Sequence, residues 1–394
     1  MQGNSYKYNI QLTYMKDDIE INLDYKNILT MAIDYNYEKK NMPTLLIRVG
    51  IDKSIIDHMI SNKNNTIILS ITKFKESNGI HIRKPVIKSE FFYFLDNNMS
   101  FTDDIDYGNK ENKENKDIYK IISLGLIQKD IVLNNKTLIN TVYKDTHLLD
   151  IICDVFKEKN LVIEPFVNND DVKCLIVPPM ETVSKFLTYL DDRYTFYNTP
   201  YRFFYDFNKT YLLSSSGRGV PVKNEKYNAI FIYVDNTISD KSKFDGMKED
   251  SELKAYMINV DAAAINISVD KATTISYNQI IGVNSEGEYQ SVNINSNLDG
   301  DRYKVTRLSN ERFDVLDNLK NELESNNIVI NIIKGELDST VFTLNKEYYI
   351  KNYNKLADKN GKFLLSSKKE IYIKESEYFN MTTILTLKKC PSTN

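Results

Sequence analysis

Near the start of the chain, Tyr6, Tyr8, Ile10, Leu12 and Tyr14 alternate with Lys7, Asn9, Gln11 and Thr13. Strict period-2 alternation sends one row of side chains to each face of a strand, so this stretch folds only where one face is covered. After a turn at Lys16-Asp17-Asp18 the alternation resumes at Ile19, Ile21 and Leu23, which predicts a hairpin. Met31, Ile33 and Tyr35 predict a further strand, as do Leu45, Ile47, Val49 and Ile51, and then Ile67, Leu69 and Ile71. Between the last two, Asp52 to Asn62 reads as a short helix capped by Asp52, with Ile55, Ile56, Met59 and Ile60 as its apolar stripe. A row of strands with one packed helix predicts a closed barrel over residues 1–95, because closure removes the exposed edges that invite uncontrolled pairing.

Composition fits a strand-rich chain. There are 27 Tyr and 18 Phe but no Trp, with 42% hydrophobic and 27% charged residues. At 394 residues the chain is long enough for about two to four domains with real cores. A net charge of −3 lacks the basic footprint of a duplex-binding protein, which argues against sequence-specific nucleic-acid recognition. A mildly acidic surface suits a channel through which DNA slides without sticking. The start, MQGNSYKYNI, has no signal-peptide pattern, and no run approaches the roughly 18 apolar residues that mark a membrane span, so the expectation is cytoplasmic synthesis without a membrane anchor. Cys153, Cys174 and Cys390 are odd in number and widely spaced, and are read as ordinary reduced thiols.

From Asp96 to Lys120 the sequence turns polar and repetitive and reads as a long exposed loop. Asp103, Asp104 and Asp106 invite a calcium reading, but the Gly and terminal Glu of an EF-hand loop are missing. Residues 121–176 predict short mixed elements: Ile121 to Leu126, a strand at Ile131 to Leu133, a helix over Leu148 to Lys157 capped by Thr146 or Asp145, and strands at Leu161 to Glu164 and Cys174 to Val177. Pro178 and Pro179 then block any earlier helix start, and Val183, Phe186, Leu187, Leu190 and Tyr194 form one helical stripe that Thr182 can cap. After Pro200, Tyr201, Phe203 and Tyr205 alternate as a strand, and Asn208-Lys209 turns the chain into Tyr211, Leu212 and Leu213. Gly217 and Gly219 in the loop Ser214 to Gly219 lie between strands without a following Lys-Ser/Thr pair, which is a hairpin turn rather than a phosphate cradle.

Beyond residue 227 the chain predicts strands at Ala229 to Val234, Lys254 to Val260, Ala264 to Val269, Thr274 to Ile281 and Tyr289 to Ile294. Ser309 or Asn310 opens a helix with Phe313, Leu316, Leu319 and Leu323 on one side, ending at Asn326-Asn327. Strands follow at Val329 to Ile333, Val341 to Leu344, Tyr348 to Tyr353, Lys362 to Leu365 after the turn Lys359-Asn360-Gly361, Ile371 to Lys374 and Thr383 to Leu387.

The chemistry of an enzyme is missing at motif level. His58, His81 and His147 are read as having no partner, and there is no H-x-x-x-H, G-x-S-x-G or Cys-His grouping. Asp191, Asp192 and Glu181 are candidates for a glycosidase pair, but neighbours on a helix point about 100° apart and cannot flank one bond. Asp191 and Asp192 are assigned to the polar face opposite Phe186 and Leu190, with Arg193 as a local ion partner, and Asp206 to a turn entry. No residue is assigned to catalysis, a cofactor or a metal. Tyr-rich faces also suit sugar stacking, although alternating aromatics are more often core or subunit interface.

The segment PPMETVSKFLTYLDDRYTFYNTPYRFFYDFNKTYLL resembles the mid-chain signature of the central baseplate hub proteins of contractile-tailed bacteriophages and phage-derived bacteriocins, the T-even-type hub family. The resemblance implies an α+β, mainly β, multidomain fold with two tail-tube-like β-barrels, the second discontinuous, around a mixed α+β middle. The expected divisions are a tube-like barrel at 1–95, a polar linker at 96–120, an α+β domain at 121–226, a β-rich segment at 227–328, and strands at 329–394 that complete the second barrel. The implied partners are two further copies in a homotrimer, the tail tube and tube-terminating baseplate proteins on one face, a trimeric spike on the other, the tape-measure protein, and DNA passing through a lumen without specific binding. Such a protein is made in the host bacterial cytoplasm and assembled into a virion baseplate or a tailocin particle. The competing reading is a tail-associated peptidoglycan hydrolase or carbohydrate-binding protein.

Overall fold

The computed structural model describes residues 6–17, 19–23, 27–62, 64–77, 80–95, 104–105, 119–135, 138–156, 160–169, 171–180, 182–216, 219–222, 225–235, 249–250, 254–270, 276–284, 286–296, 298–308, 313–324, 327–335, 338–351 and 361–390. The strands in chain order are β1 (Tyr6–Lys16), β2 (Ile19–Leu23), β3 (Ile28–Asn36), β4 (Thr44–Asp52), β5 (Thr66–Ser77), β6 (Ile80–Leu95), β7 (Asp104–Ile105) and β8 (Tyr119–Gln128). They continue as β9 (Ile139–His147), β10 (Leu161–Ile163), β11 (Asp171–Met180), β12 (Tyr201–Tyr205), β13 (Thr210–Ser214), β14 (Ala229–Asp235), β15 (Glu249–Asp250) and β16 (Ala255–Asp261). The last are β17 (Ile265–Asp270), β18 (Gln279–Val283), β19 (Tyr289–Asn293), β20 (Tyr303–Arg307), β21 (Asn327–Gly335), β22 (Glu347–Lys351), β23 (Gly361–Glu375) and β24 (Tyr378–Lys389). The α-helices are α1 (Lys53–Ser61), α2 (Lys129–Asn135), α3 (Leu148–Phe156), α4 (Val183–Tyr194) and α5 (Asp314–Glu324).

The chain divides into two compact units, one of Met1–Val132, Ile332–Phe342 and Ser367–Leu385, the other of Leu133–Asn331, Thr343–Ser366 and Thr386–Asn394. In the first unit the strands run β23-β3-β4-β8-β6-β5-β1-β24, and β24 pairs back onto β23, closing an eight-stranded barrel. Eight staves leave an interior that side chains can fill. Here Tyr8, Ile10, Leu12 and Tyr14 of β1, Met31 and Ile33 of β3, and Ile47 and Val49 of β4 are all buried. The alternation that predicted strands is thus one inward row per stave. At Ile71/Thr72 the β5–β6 register slips opposite Pro85, whose missing N–H is tolerated at a bulge. Helix α1 begins as expected, with the Asp52 carboxylate accepting from the Ser54 N–H at 2.7 Å. It is tied down by two tyrosines: Tyr93 donates to the Met59 and Asn62 carbonyls at 2.9 Å each, and the Tyr14 hydroxyl meets His58 Nδ1 at 2.8 Å.

Two closing features of this barrel depart from the sequence reading. Residues 1–95 supply only five of the eight staves; β8, β23 and β24 supply the rest. The strands expected at Lys362 to Leu365 and Ile371 to Lys374 are one 15-residue strand, β23. Its polar middle, Ser366 to Lys369, reads in sequence as a break, yet Lys368 and Glu370 are 4% and 2% exposed. Lys368 Nζ lies 3.1 Å from Glu370 Oε1, 3.2 Å from the Ser339 carbonyl and 4.2 Å from the Tyr35 ring centroid, while Tyr372 donates to Glu370 Oε2 at 2.9 Å. The expected strand at Val341 to Leu344 does not form; a 3-10 turn, Ser339–Val341, runs into it, and Lys73 anchors the Asp338 cap of that turn at 2.6 Å.

The second unit holds several smaller sheets. β14 is parallel to both β16 and β22. β22 then pairs with the start of β23, and β21 pairs with β17; among the described residues these pairings do not close into a ring. β9 and β11 form a two-stranded sheet, β10-β13-β12 a three-stranded one, and β19-β18-β20 another. Helix α5 covers the last, burying Leu316, Leu319 and Val315 against Ile280, Ile294 and Leu308. Gly282 permits this approach, since a Cβ there would sit 2.6 Å from Leu308 and 3.1 Å from Leu316. The whole is an α+β, mainly β fold with a closed barrel, additional strands and a mixed region.

Several local expectations are corrected. Ile131 to Leu133 lie in the helix α2, not a strand. Helix α3 is not capped by Asp145 or Thr146, because β9 runs through His147 into it; Asn169 reaches back to accept the Leu149 N–H at 2.9 Å. The strand expected from Thr274 starts at Gln279. Strands β6, β9 and β20 went unread, as did the two-residue strands β7 and β15. Asp104–Ile105 pairs with Lys120 and Tyr119, whereas Asp103, Asp106 and most of the 96–120 loop lie outside the described residues. So do Glu181, Gly217 and Arg218, Ser309 and Asn310, Lys359 and Asn360, and the side chain of His81.

Candidate assembly site around the central helix

Helix α4 starts where the sequence places it. The Thr182 hydroxyl accepts from the Lys185 N–H at 3.2 Å, and the β9–β11 register slips between Val177 and Met180, where two prolines offer no donors. Val183, Phe186, Leu187 and Leu190 are buried. The opposite side is tied to neighbouring strands: Tyr189 donates to the Ile176 carbonyl at 3.0 Å, and Thr188 meets the Tyr201 hydroxyl at 2.9 Å. Arg193 stacks over the Tyr189 ring at 4.0 Å instead of pairing with a neighbouring aspartate.

The two aspartates divide. Asp192 faces outward, 3.5 Å from Lys304 of β20. Asp191 turns inward, accepts the Phe196 N–H at 3.0 Å, and has its carboxyl pushed up to about 6 by burial, so it is not a polar-face residue as expected. The helix ends at Thr195, a β-branched residue at φ 50°, where side chains are strained.

Beyond the helix the aromatics pack inward. Phe196, Tyr197, Phe204, Tyr205 and Tyr211 are buried, with Phe166 stacked on Phe196 at 5.1 Å. That placement leaves these rings unavailable for stacking on a sugar. Asp206 accepts the Phe207 N–H at 2.6 Å, the turn role expected. Glu164 Oε2 accepts both the N–H and the hydroxyl of Ser214, at 2.8 and 2.6 Å. The spacing is that of a nucleophile and its base, yet both residues are buried and Glu164 serves to close the end of β13. Two histidines have partners after all: His58 lies 3.3 Å from Asp17, and His147 is 3.0 Å from Asp171. Among the described residues no group of three or more His, Cys, Asp or Glu could hold a metal, and Cys153, Cys174 and Cys390 form no disulfide.

What the unit offers outward is apolar sheet. Val142 and Ile176 are register partners across β9 and β11, and both are more than half exposed at 54% and 67%. On the outer face of β19-β18-β20, Tyr289, Tyr303 and Val305 stand exposed. Each group makes its face a candidate contact surface. Neither face was legible in the sequence, because period 2 shows that a strand has two faces and not which neighbour covers each.

Residues 4–390 match the protein family described as Bacteriophage PBS1 gene 109 protein. The chain belongs to that family. No curated protein matches it. Among solved structures, a tail protein from Neisseria meningitidis MC58 is 10% identical at a TM-score of 0.49, covering 97% of this chain and 96% of its own. The 43 kDa tail protein of prophage MuSo2 from Shewanella oneidensis is also 10% identical, with a TM-score of 0.48 and coverage of 97% and 96%. In the lidded Francisella PdpA-VgrG complex, a chain 11% identical at a TM-score of 0.48 is covered over 54% of its length by 100% of this one.

Proposed function

We propose that this member of a bacteriophage family is the central hub of a contractile tail's baseplate, a structural component that breaks no bond. Three copies, each presenting two tube-like barrels, make a six-lobed ring on which a hexameric tail tube stacks, while the other end presents threefold symmetry to a trimeric spike. The second lobe is assigned to the strands around β14, β16 and β22. The observation that carries this reading is the closed barrel of the first unit, in which each of the eight staves pairs with a stave on either side, so that the ring itself has no unpaired edge and associates through side-chain surfaces. A ring of identical subunits needs two different faces per chain. The exposed β9–β11 and β18–β20 faces supply such a pair. Tube and tube-terminating proteins, the spike, the tape-measure protein and passing DNA are the partners of this reading, assembled in the host bacterium into a virion or a tailocin.

Light scattering on the purified chain should give about three times the 45.8 kDa monomer mass, and averaged electron micrographs should show six lobes. A particle that stays monomeric alone and with tube and spike proteins would overturn the proposal. So would a lytic band in a peptidoglycan gel that disappears in Glu164→Gln.

A further inference from the structure

We infer that the barrel of the first unit has one releasable seam, between β1 and β24, and that the turn from Asp338 to Phe342 is a clasp holding that seam shut. The inference is independent of the hub reading.

The seam is poor in backbone bonds. β1 shares nine register pairs with β5, and β4 shares eight with β8. Between β1 and β24 the described residues form one, Tyr8 with Phe379. Farther along the same edge, from Leu12 to Lys16, β1 pairs with β2 instead. A junction with so little ladder opens at a lower free energy than the rest of a sheet, because only the few bonds at that junction have to break.

Side chains make up the deficit on both faces. Inside, Tyr8 of β1 meets Tyr372 of β23 edge-on with ring centroids 5.2 Å apart, and Phe379 is buried beside them. Outside, Tyr378 of β24 lies against Phe74 of β5 at 5.4 Å, and Lys7 Nζ of β1 stands 5.8 Å from the Tyr378 ring centroid.

The clasp spans the same part of the wall, where the staves run β5-β1-β24-β23. Lys73 of β5 donates to the Asp338 carboxylate at 2.6 Å and to the Thr340 hydroxyl at 3.2 Å, while Lys368 of β23 donates to the Ser339 carbonyl at 3.2 Å. One turn is thus bonded to a buried lysine on each side of the seam. Asp338 also accepts the Thr340 N–H and hydroxyl, at 3.3 and 2.5 Å, so the same carboxylate shapes the turn and anchors it. If β24 separates from β1, the turn cannot keep both lysines. Losing Asp338 strands Lys73 as a buried charge without its carboxylate, which adds the clasp to the cost of opening. The closed form carries a cost of its own: the Ser339 hydroxyl on the turn and the Thr383 hydroxyl on β24 are buried without a hydrogen bond among the described residues.

The test is native-state amide exchange on the full chain in rising, sub-denaturing urea. Amides bridging β1 and β24 beside Tyr8 and Phe379 should exchange through a local opening that is nearly independent of urea, whereas amides between β4 and β8 follow global unfolding. Because the clasp breaks in both events, Asp338→Asn should raise seam opening and global unfolding by the same factor, at least about ten-fold. Thr340→Val, which removes one acceptor of Lys73, should raise both by roughly two- to ten-fold and serves if the Asn variant does not fold. Tyr93→Phe, which removes the bonds to α1, should raise global unfolding and leave the seam unchanged. Seam amides that exchange only by global unfolding in the parent chain would overturn the inference. So would clasp variants that speed global unfolding without speeding the seam, or a Tyr93→Phe variant that speeds both alike.

Discussion

At the scale of single residues the chain hides its most consequential chemistry in polar letters. The run Ser366-Ser367-Lys368-Lys369 falls between the two strands the sequence predicts because Lys is seldom buried, yet Lys368 is held by Glu370, the Ser339 carbonyl and the Tyr35 ring. Only the presence of all three partners inside the barrel makes the burial tolerable. Lys368→Met leaves Glu370 as an uncompensated buried charge and should cost about 3–5 kcal/mol in chemical denaturation. The double variant Lys368→Met, Glu370→Leu should recover most of that loss; equal losses in the two would mean that the pair is not coupled. Asp191 teaches the same lesson with the opposite letters. The sequence reading put it on the polar face, because its contact with the Phe196 amide is fixed only once the chain leaves the helix at Thr195.

At the scale of elements, legibility tracks how local the stabilising forces are. Helix α4 was readable down to its Thr182 cap, because the stripe and the cap lie within a few residues of one another. Replacing a fully buried member of that stripe with a charge, as in Phe186→Asp or Leu190→Asp, should abolish soluble folding, whereas Asp192→Asn should stay within about 0.5 kcal/mol of the parent. Solubility and melting of the three variants side by side check this, and equal behaviour would contradict the packing of α4. Elements set from a distance were missed. Helix α2 carries the β-branched letters of a strand, and α3 borrows its first-turn acceptor from Asn169, 20 residues away. Strand β9 has no clean apolar row because Val142 faces outward.

At the scale of the whole molecule the governing event is closure. Strands from the first hundred residues wait on β23 and β24, more than 250 residues later, to complete the ring. Contacts that distant in sequence carry a loop-closure cost before they return any stabilisation, so this barrel should form late and cooperatively. A chain ended after residue 360 loses two of eight staves and should yield aggregate without a cooperative melting transition. A fragment of residues 1–95, with five staves, should fare no better. Circular dichroism melting and size exclusion on both pieces check this; a monomeric, sharply melting fragment would show that closure is dispensable.

By itself, the sequence determined the strands that carry a clean alternating row, such as β1, β3 and β4, where α1 and α4 begin, and that the chain is mainly β, because alternation, helical stripes and caps act over a few residues. Tertiary structure alone decided which strands stand next to one another, that the last strands close the first barrel, and that a lysine and a glutamate lie inside it. Those outcomes rest on pairing and desolvation between residues hundreds of positions apart, and no local pattern encodes the identity of a distant neighbour.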